Sequence, residues 1–457
     1  MLETRVNAFD KTHMHTEPCI ADAVTRSPAS IQRIGYLLSQ YPAISHTFFL
    51  HEVMGLRARG MELETASINR PDRPLSALPE TEAAEACRTF YVKSSRWARV
   101  LTRLLKVVVT RPDVVIRGLA HVIAMRGLSF TQRCFWLLYL AEALLVGDWM
   151  KVRKLDHLHI HFGGPVATVG MLTARAWQIP FSLTIHGPEE LLNVDANHLR
   201  EKVRAARFVF CISDFCRSQL YSLVSPEEWD KFEVIRLGVD PLVLTPPSRL
   251  IANSLTLRPQ DLRLVCTGRM VPEKGHQILL EACKLLRQKG VRLQIVLVGG
   301  GPELARLQDY VKENGLAESV TFTGALSHPQ TLAHLRRADL FALASFAEGI
   351  PVALMEAMSL GVACISTTVA GIPELIRSGI DGLLVPPGNV TALAAALESL
   401  ITKPTLRKSL GASARQRIIA QYNLPLNQEL LANSFRIRTG VSLTVRDEIA
   451  PTNYGSI

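Results

Sequence analysis

The sequence predicts an α/β protein with two doubly wound parallel sheets. Short apolar segments of strand character alternate with helical segments along most of the chain, which is typical of parallel strands joined by helical crossovers. One aperiodic, proline-punctuated stretch at 241–260 divides this pattern into two halves. The 457 residues are enough for two domains of roughly 200 residues, so we expect one sheet in each domain.

The first half repeats the order strand, loop and helix. The first helix is expected to stop at Gly60, and a later one to have Ser213 or Asp214 as its N-terminal cap. The predicted strands are 33–39, 61–68, 158–164, 181–187, 207–213 and 232–240, and the predicted helices are 48–60, 165–178, 198–206 and 213–224.

The second half repeats the alternation, and its last twenty residues lack periodicity. The predicted strands are 262–268, 293–299, 320–324, 339–345, 362–366 and 382–388, with helices between them and two more at 391–401 and 405–422. The predicted layout is a disordered extension at 1–30, a first domain at 31–240, a linker at 241–260, a second domain at 261–425, and a C-terminal segment with a disordered tail at 426–457.

Composition indicates a globular protein of a reducing compartment. The chain is 48% hydrophobic and 20% charged, which gives a large core and excludes a disordered chain. Its eight cysteines show no C-x2-C spacing, so we expect buried free thiols and neither a disulfide framework nor a zinc site. The first 30 residues are polar and do not resemble a signal peptide, which favours a cytoplasmic location.

The positive charge is concentrated in a basic segment at 88–154. This segment carries thirteen Lys or Arg against three acidic residues, which matches the net charge of +10 of the whole chain. Two adjacent helical stripes run through it, one basic and one apolar. The basic stripe is Arg96, Arg99, Arg103 and Lys106, and the apolar stripe is Leu101, Leu104, Leu105 and Val108.

Such a helix is typical of interfacial binding to an anionic membrane. The alternative is a helix that packs on the core and leaves a basic face in solvent. Nucleic-acid binding is disfavoured because Leu and Val are too frequent. The longest apolar run, 135–146, contains Glu142 and is too short to cross a bilayer, which takes about 20 residues. We expect a protein that lies on the inner face of the plasma membrane without spanning it.

An acidic turn follows the predicted strand at 339–345. Glu348 lies in this turn, and Glu356, eight positions later, lies inside the next helix. Open parallel sheets bind ligands at the carboxyl ends of their strands, where this turn is expected. A carboxylate there can accept hydrogen bonds from sugar hydroxyls, and the second carboxylate can reach a ribose. The alternative is two ordinary solvated glutamates.

The same turn offers backbone donors. Pro351 fits the first helical turn because its missing N–H costs nothing there. Gly349 and Ile350 would then present free N–H groups at a helix N-terminus, which is a ready anion site.

A second candidate loop, at 268–275, carries two cations. Gly268 permits a tight turn and close approach of the backbone to a ligand. Arg269 offers a bidentate fork for phosphate oxygens, and Lys274 a point charge on a flexible stem. Together they can neutralise a diphosphate leaving group, whereas the alternative is two solvated loop cations.

Three further features have less specific patterns. Gly299 and Gly300 lie in a strand–turn–helix segment that lacks the full G-x-G-x-x-G, so a nicotinamide site is weakly supported and a plain structural turn remains the alternative. His186 follows a strand, where a lone histidine is more often a capping or packing group. His159 and His161 have no suitably spaced acidic ligand, so we interpret His161 as structural or cleft-lining and predict no metal site.

The E-x7-E spacing, with Gly-Ile-Pro after the first Glu, resembles the signature of the retaining family 4 glycosyltransferases. The resemblance covers roughly 33–430 and is richest in motifs from 262 to 390. It implies the GT-B fold, in which two Rossmann-like domains face each other across a cleft. The first domain would bind the acceptor and the second the nucleotide-sugar donor.

The resemblance also implies residue roles. Glu348 would bind donor sugar hydroxyls, Glu356 the ribose, and Arg269 and Lys274 the diphosphate. His186 would lie beside the anomeric centre and the C6 hydroxyl. The loop with Gly299 and Gly300 would line the nucleotide pocket. Family members dispense with a metal because two cations hold the diphosphate, so we expect no cofactor.

The acceptor loop, Tyr41 to Thr47, resembles a subgroup that builds exopolysaccharides such as colanic acid. An acidic residue stands in that subgroup where this chain has His46, which leaves the acceptor open. The implied function is transfer of a hexose from a nucleotide sugar, with retention, to a saccharide acceptor that is lipid-linked. The alternatives are a GT-B epimerase or phosphorylase, and a non-catalytic scaffold of a membrane-associated polysaccharide assembly.

Overall fold

The computed structural model of the protein describes residues 33–43, 47–94, 97–247, 262–291 and 293–440. The predicted extension at 1–30, His46, most of the predicted linker and the last seventeen residues lie outside the described residues. The domain boundaries proposed from the sequence therefore stay a prediction.

The N-terminal sheet has seven parallel strands. Their order is β3-β2-β1-β4-β5-β6-β7, so the chain proceeds outward from β1 in one direction and then from β4 in the other. The six predicted strands are confirmed, and β3 is an edge strand that the sequence did not predict. The strands are β1 Ile34–Gln40, β2 Leu63–Asn69, β3 Phe90–Tyr91, β4 His157–His161, β5 Phe181–Ile185, β6 Val209–Cys211 and β7 Phe232–Val234.

The helices of this half cover both faces of the sheet and extend the fold with a helical segment between β3 and β4. The Ser213 hydroxyl accepts from the backbone N–H of Cys216 at 3.0 Å, which confirms Ser213 as a cap. The helices are α1 Thr47–Ala58, α2 Glu80–Arg88, α3 Trp97–Thr110, α4 Pro112–Ala124, α5 Phe130–Arg153, α6 Pro165–Trp177, α7 Pro188–Leu192, α8 Leu199–Ala205 and α9 Asp214–Tyr221.

The C-terminal sheet has six parallel strands in the order β10-β9-β8-β11-β12-β13, and all six predicted strands are confirmed. The strands are β8 Arg263–Thr267, β9 Gln294–Val298, β10 Val320–Phe322, β11 Leu340–Leu343, β12 Ala363–Thr367 and β13 Leu383–Val385. The helices are α10 His276–Gln288, α11 Leu304–Glu313, α12 His328–Leu335, α13 Val352–Ser359, α14 Ile372–Leu375, α15 Val390–Thr402, α16 Pro404–Gln421 and α17 Leu424–Thr439.

The last helix, α17, was not predicted, and it returns the chain to the N-terminal sheet. Its Phe435 packs among the rings of Tyr36, His159 and Phe210 beneath that sheet. The Gln428 amide donates to the carbonyl of His51 in α1 at 2.7 Å. These contacts tie the end of the described chain to its first helix.

The basic segment forms α3, α4 and α5. Val107 of α3 is buried, and Val100 and Leu104 pack partly against the core. Leu101 and Leu105, in contrast, are 66% and 61% exposed. The predicted apolar stripe is therefore divided, because Leu104 faces the protein while its other members face solvent. None of the described helices is both long enough and apolar enough to cross a bilayer.

The cysteines agree with the predicted free thiols, with one correction. The seven that fall in described residues are unpaired. Cys87 and Cys134 are exposed on helices α2 and α5, contrary to the expectation of burial, and the other five are buried.

Each sheet has a topological switch point, where neighbouring strands are followed by connections in opposite directions. These points lie between β1 and β4 in the first sheet and between β8 and β11 in the second. Ligands of open α/β sheets bind outside the carboxyl ends of strands at such points. The candidate residues after β5, β8, β9 and β11 all lie at these ends.

Candidate active site

Two glycine loops of the C-terminal sheet pack backbone against backbone. A side chain at Gly299 would place its Cβ 1.9 Å from the carbonyl oxygen of Gly268, and Gly299 has φ of +143°. The amide of Met270 also donates to the carbonyl of Gly300 at 2.8 Å. Gly299 is therefore required for close approach of the loops after β8 and β9, whereas a Cβ at Gly300 would meet only ordinary contacts.

The loop after β8 also packs on the acidic turn after β11. A Cβ at Gly275 would lie 2.0 Å from the carbonyl oxygen of Ala344, so only glycine allows this approach. The amide of Phe346 donates to the carbonyl of Glu273 at 2.8 Å. The three loops predicted to form the donor site thus converge at one edge of the sheet.

Lys274 and Glu348 form an ion pair at the centre of this edge. Lys274 Nζ lies 2.6 Å from Glu348 Oε1, and the Ser345 hydroxyl donates to the same oxygen at 2.7 Å. Glu348 is 6% exposed, so it is not the solvated turn residue of the alternative interpretation. Arg269 is exposed, and no carboxylate of the described residues lies within ion-pair distance of it.

Pro351 is shifted by one position from the prediction. It is the N-cap of α13, with φ −73° and ψ 119°, and not a residue of the first helical turn. The helix begins at Val352, so Gly349 and Ile350 lie just before its N-terminus, where the sequence predicted them. Ile350 is only 4% exposed.

The second carboxylate, Glu356, has a partner that the sequence analysis missed. Its Oε1 lies 2.6 Å from Nε2 of His328, the first residue of α12. This hydrogen bond raises the pKa of His328 above its usual value, and burial opposes the shift. Glu356 and His328 line a cavity of about 360 Å³ together with Thr47, His51 and Asp240 from the N-terminal half of the chain.

His186 lies in the loop after β5 and meets the acidic turn across the cleft. A Cβ at Gly349 would lie 2.1 Å from the carbonyl oxygen of His186. A Cβ at Gly187, which has φ of +143°, would lie 2.8 Å from Cα of Gly349. Two glycines, one from each half of the chain, therefore let the His186 loop touch the Glu348 turn.

The carboxylate of Glu190 binds the backbone of the His186 loop. It accepts from the backbone N–H groups of His186 at 2.7 Å and Gly187 at 3.0 Å, and it also binds the amide of Gly163. Burial raises the pKa of Glu190 to about 7, although the hydrogen bonds from the three backbone N–H groups lower it. Lys202 donates to the carbonyl of Gly163 at 2.8 Å. Glu190 and Lys202 therefore both bind the backbone of Gly163, in the loop after β4.

His161 is buried and lies beside His186, as the cleft-lining interpretation allowed. Its Nδ1 lies 3.0 Å from His186 Nε2, and its Nε2 lies 3.1 Å from Glu52 Oε1. Glu52 lies on α1, and its contact with His161 had no signal in the sequence because the two residues are far apart along the chain.

Glu374 is a further residue that the sequence analysis missed. Its two carboxylate oxygens accept from the backbone N–H groups of Asp214 at 2.9 Å and Phe215 at 2.6 Å, at the start of α9. The guanidinium of Arg236 lies 3.5 Å from the same carboxylate. Glu374 belongs to the C-terminal half, so it joins the two halves of the chain beside the cleft.

The described residues contain no group of three or more His, Cys, Asp or Glu side chains arranged to hold a metal ion.

Two doubly wound sheets whose switch points face a common cleft define the GT-B class of proteins. The solved structure of Anabaena Alr3699/HepE in complex with UDP matches this fold with a TM-score of 0.66. It shares 16% sequence identity and covers 89% of this chain and 100% of HepE. The predicted fold is confirmed.

Sequence comparison gives the family. The "Glycosyltransferase Family 4" model matches residues 47–241, and the "Glycosyl transferases group 1" model matches residues 248–417. The amylovoran biosynthesis glycosyltransferase AmsK of Erwinia amylovora is 31% identical over 88% of this chain and 98% of AmsK. WcaL of Salmonella typhimurium, named for colanic acid biosynthesis, is 27% identical over 86% of this chain and 96% of WcaL. The chain belongs to the family 4 glycosyltransferases, and the predicted enzyme class is confirmed.

Proposed function

We propose that this glycosyltransferase moves a hexose from a nucleoside diphosphate sugar to a growing exopolysaccharide unit, with retention of anomeric configuration. The observation that carries the donor assignment is the Lys274–Glu348 pair at the meeting point of three loops. The names of AmsK and WcaL, which refer to amylovoran and colanic acid biosynthesis, support the exopolysaccharide product. Retention follows from the family resemblance.

The diphosphate would bind between Arg269, Lys274 and the amides of Gly349 and Ile350. Lys274 carries its charge on a flexible stem, and the exposed Arg269 can swing onto phosphate oxygens. When the leaving group develops negative charge, these cations and amides stabilise it without rearrangement of solvent. We propose that they take the place of a metal ion, so that no cofactor is required.

The two carboxylates would then bind hydroxyls, Glu348 those of the donor sugar and Glu356 those of the ribose. Glu348 is buried and already engaged with Lys274, so a bound diphosphate would draw Lys274 away and leave Glu348 for sugar hydroxyls. Glu356 lines the 360 Å³ cavity with His328, which suits a ribose that has two neighbouring hydroxyls. The solved complex of HepE with UDP supports a nucleoside diphosphate in this cleft.

His186 would lie at the reacting carbon, because its loop touches the Glu348 turn through Gly187 and Gly349. Glu190 holds the backbone of this loop, which limits its movement. A group held in place before the substrate binds loses little entropy in the reaction.

The acceptor would be a saccharide linked to a lipid, which the enzyme would bind at the inner face of the plasma membrane. Of twenty-four large hydrophobic side chains that are exposed among the described residues, twelve lie within 101–152. The basic segment supplies charge complementary to anionic headgroups, worth about 1 kcal/mol per basic residue near the surface. Large exposed apolar patches are typical of interaction surfaces.

The proposed donor site is tested by nucleotide binding. We would measure thermal stability and binding heat with UDP, GDP, ADP and their sugars, with and without a chelator. Ligand at one hundred times its dissociation constant stabilises the folded state by about 2.7 kcal/mol. We expect chelator-insensitive binding that Lys274→Ala abolishes and that Lys289→Ala, which removes an exposed ion pair with Glu398, preserves. A folded protein that binds none of the nucleotides would contradict the proposal.

A further inference from the structure

Glu374 binds the start of a helix that belongs to the other half of the chain. Its Oε2 accepts from the backbone N–H of Asp214 at 2.9 Å, and its Oε1 accepts from that of Phe215 at 2.6 Å. Asp214 is the first residue of α9, where backbone N–H groups have no acceptor within the helix. The helix dipole also favours a carboxylate at this position. The contact joins two segments that are 160 positions apart along the chain.

Arg236 allows two carboxylates to lie at the same helix end. Its Nη2 is 2.5 Å from Oδ2 of Asp214 and 3.5 Å from Oε2 of Glu374. Two carboxylates so placed would repel each other, and a guanidinium in contact with both offsets that repulsion. The contact between the halves therefore consists of hydrogen bonds to an ionised group, which are stronger than those between neutral groups.

Within the C-terminal half, Glu374 lies on a helix that packs against the Glu348 turn. Gly371 is the N-cap of α14, the helix that carries Glu374. A Cβ at Gly371 would lie 2.5 Å from the carbonyl oxygen of Gly349, so the start of α14 lies directly on the backbone of the turn. Ile372, the first residue of α14, is fully buried. We therefore expect α14 and the turn to move together.

Within the N-terminal half, α9 starts beside the His186 loop. The strand before α9 is β6, which pairs with β5, and the N–H of Ile212 donates to the carbonyl of Ile185 at 3.3 Å. Ile185 directly precedes His186. A Cβ at Gly349 would lie 2.9 Å from Cδ1 of Ile212, so the end of β6 also lies against the Glu348 turn. The start of α9 and the His186 loop therefore belong to the same edge of the first sheet.

We propose that Glu374 is a positioning residue that holds the two halves of the chain in a closed arrangement, in which the His186 loop lies on the Glu348 turn. Glu374 acts through the start of α9 and does not itself touch the substrate. This inference rests on the proposed function only in placing the donor between His186 and Glu348. Without the contact, a more open arrangement is populated, and a ligand that needs both halves binds more weakly in proportion to the closed fraction.

The first test is Glu374→Gln, which conserves the size of the side chain and removes its charge. The amide oxygen can still accept from one N–H, but the NH2 group then faces the other N–H, and two donors cannot bind each other. We expect the radius of gyration of the ligand-free full chain to increase, as measured by small-angle X-ray scattering. Glu398→Gln is the control, because its ion pair with Lys289 lies within the C-terminal half. An unchanged radius in a folded Glu374→Gln protein would overturn the inference.

A second pair of variants changes α9 and keeps Glu374. Asp214→Pro removes the N–H that donates to Glu374 Oε2, and proline is well tolerated at the first position of a helix. Ser213 is extended, with φ −153° and ψ 159°, as the residue before a proline should be. Asp214→Ala removes the same carboxylate but keeps the N–H. We expect a larger radius in Asp214→Pro than in Asp214→Ala, and equal radii would overturn the inference.

Kinetics separate this inference from the proposed function. We expect the KM for the nucleotide-sugar donor to rise about tenfold in Glu374→Gln, the size of one hydrogen bond to a charged group, while kcat stays within about twofold. A residue that only stabilised the fold would lower the thermal midpoint without this difference between KM and kcat. An increased radius with an unchanged KM would overturn the positioning role. Wild-type protein that binds no nucleotide sugar would overturn the proposed function, whereas the scattering would still decide whether Glu374 holds the halves together.

Discussion

The carbonyl oxygen of His186 lies so close to Gly349 that a Cβ there would approach it to 2.1 Å. The two residues come from different sheets, and their contact closes the cleft at the carboxyl ends of β5 and β11. A Cβ at Gly187 would likewise lie 2.8 Å from Cα of Gly349. The geometry of the candidate site therefore depends on two residues without side chains.

Gly349→Ala is expected to separate the two loops. The added methyl cannot be accommodated by a flexible side chain because the obstacle is backbone, so the turn and His186 must move apart. We expect transfer to fall by about 100-fold, since a displacement of about 1 Å costs that much in a positioned site. Gly164→Ala is the control, because a Cβ at Gly164 meets nothing within 4 Å. Equal activities of the two variants would contradict the assignment.

Gly299→Ala should damage the donor loop much more than Gly300→Ala does. A Cβ at Gly299 would lie 1.9 Å from the carbonyl oxygen of Gly268, whereas at Gly300 the nearest atom is 3.5 Å away. Overpacking typically costs about 1–3 kcal/mol, and the φ of +143° at Gly299 adds strain. Chemical denaturation of both variants measures the difference. Similar unfolding free energies would show that the loops can separate freely.

Glu348→Ala is expected to abolish transfer and also to lower stability. A position in a turn would by itself leave the fold intact on substitution, but the structure shows that the Glu348 carboxylate is buried and bound by Lys274 and Ser345. Leaving these donors without an acceptor costs about 1–3 kcal/mol. Thermal unfolding and a transfer assay at low temperature separate the two effects. A Glu348→Ala protein that turns over like wild type would disprove the site.

His328→Gln should remove a pH-dependent part of the stability. The hydrogen bond with Glu356 raises the folded-state pKa of His328 above its usual 6.5. The stabilisation is therefore fully present below the unfolded pKa and is lost as the pH rises through the folded value. We expect the wild type to be more stable than the variant near pH 6 and the difference to vanish above the raised pKa. A difference that does not depend on pH would contradict this origin.

The proposed membrane surface is tested by Leu101→Ser combined with Leu105→Ser. These side chains are 66% and 61% exposed, so their replacement should not disturb the core. We expect weaker co-sedimentation with anionic liposomes. Leu426→Ser with Leu430→Ser is the control, because these residues are 54% and 58% exposed on α17, outside the basic segment. Reversal of Arg99, Arg103 and Lys106 to Glu should weaken the binding too. Unchanged co-sedimentation of both basic-segment variants would assign these helices a purely structural role.

The sequence by itself determined the two parallel sheets, their twelve main strands, the GT-B class and the glycosyltransferase family. The sheets and strands depend on local periodicity. The GT-B class and the family depend on the resemblance carried by motifs with short spacing, such as the E-x7-E segment that contains Glu348 and Glu356. The same reasoning missed α17, whose apolar positions make sense only against α1 and the first sheet.

Tertiary structure alone decided how the motif residues are paired. Lys274 and Glu348 are 74 positions apart, and Glu52 of α1 is separated from His161 of β4 by two strands and four α-helices. Such contacts depend on the order of strands in the sheets and on the approach of two glycine loops, neither of which is encoded in local pattern. The environment of these residues follows from such contacts: Glu348 is 6% exposed beside Lys274, and its place in a turn gives no local sign of that burial.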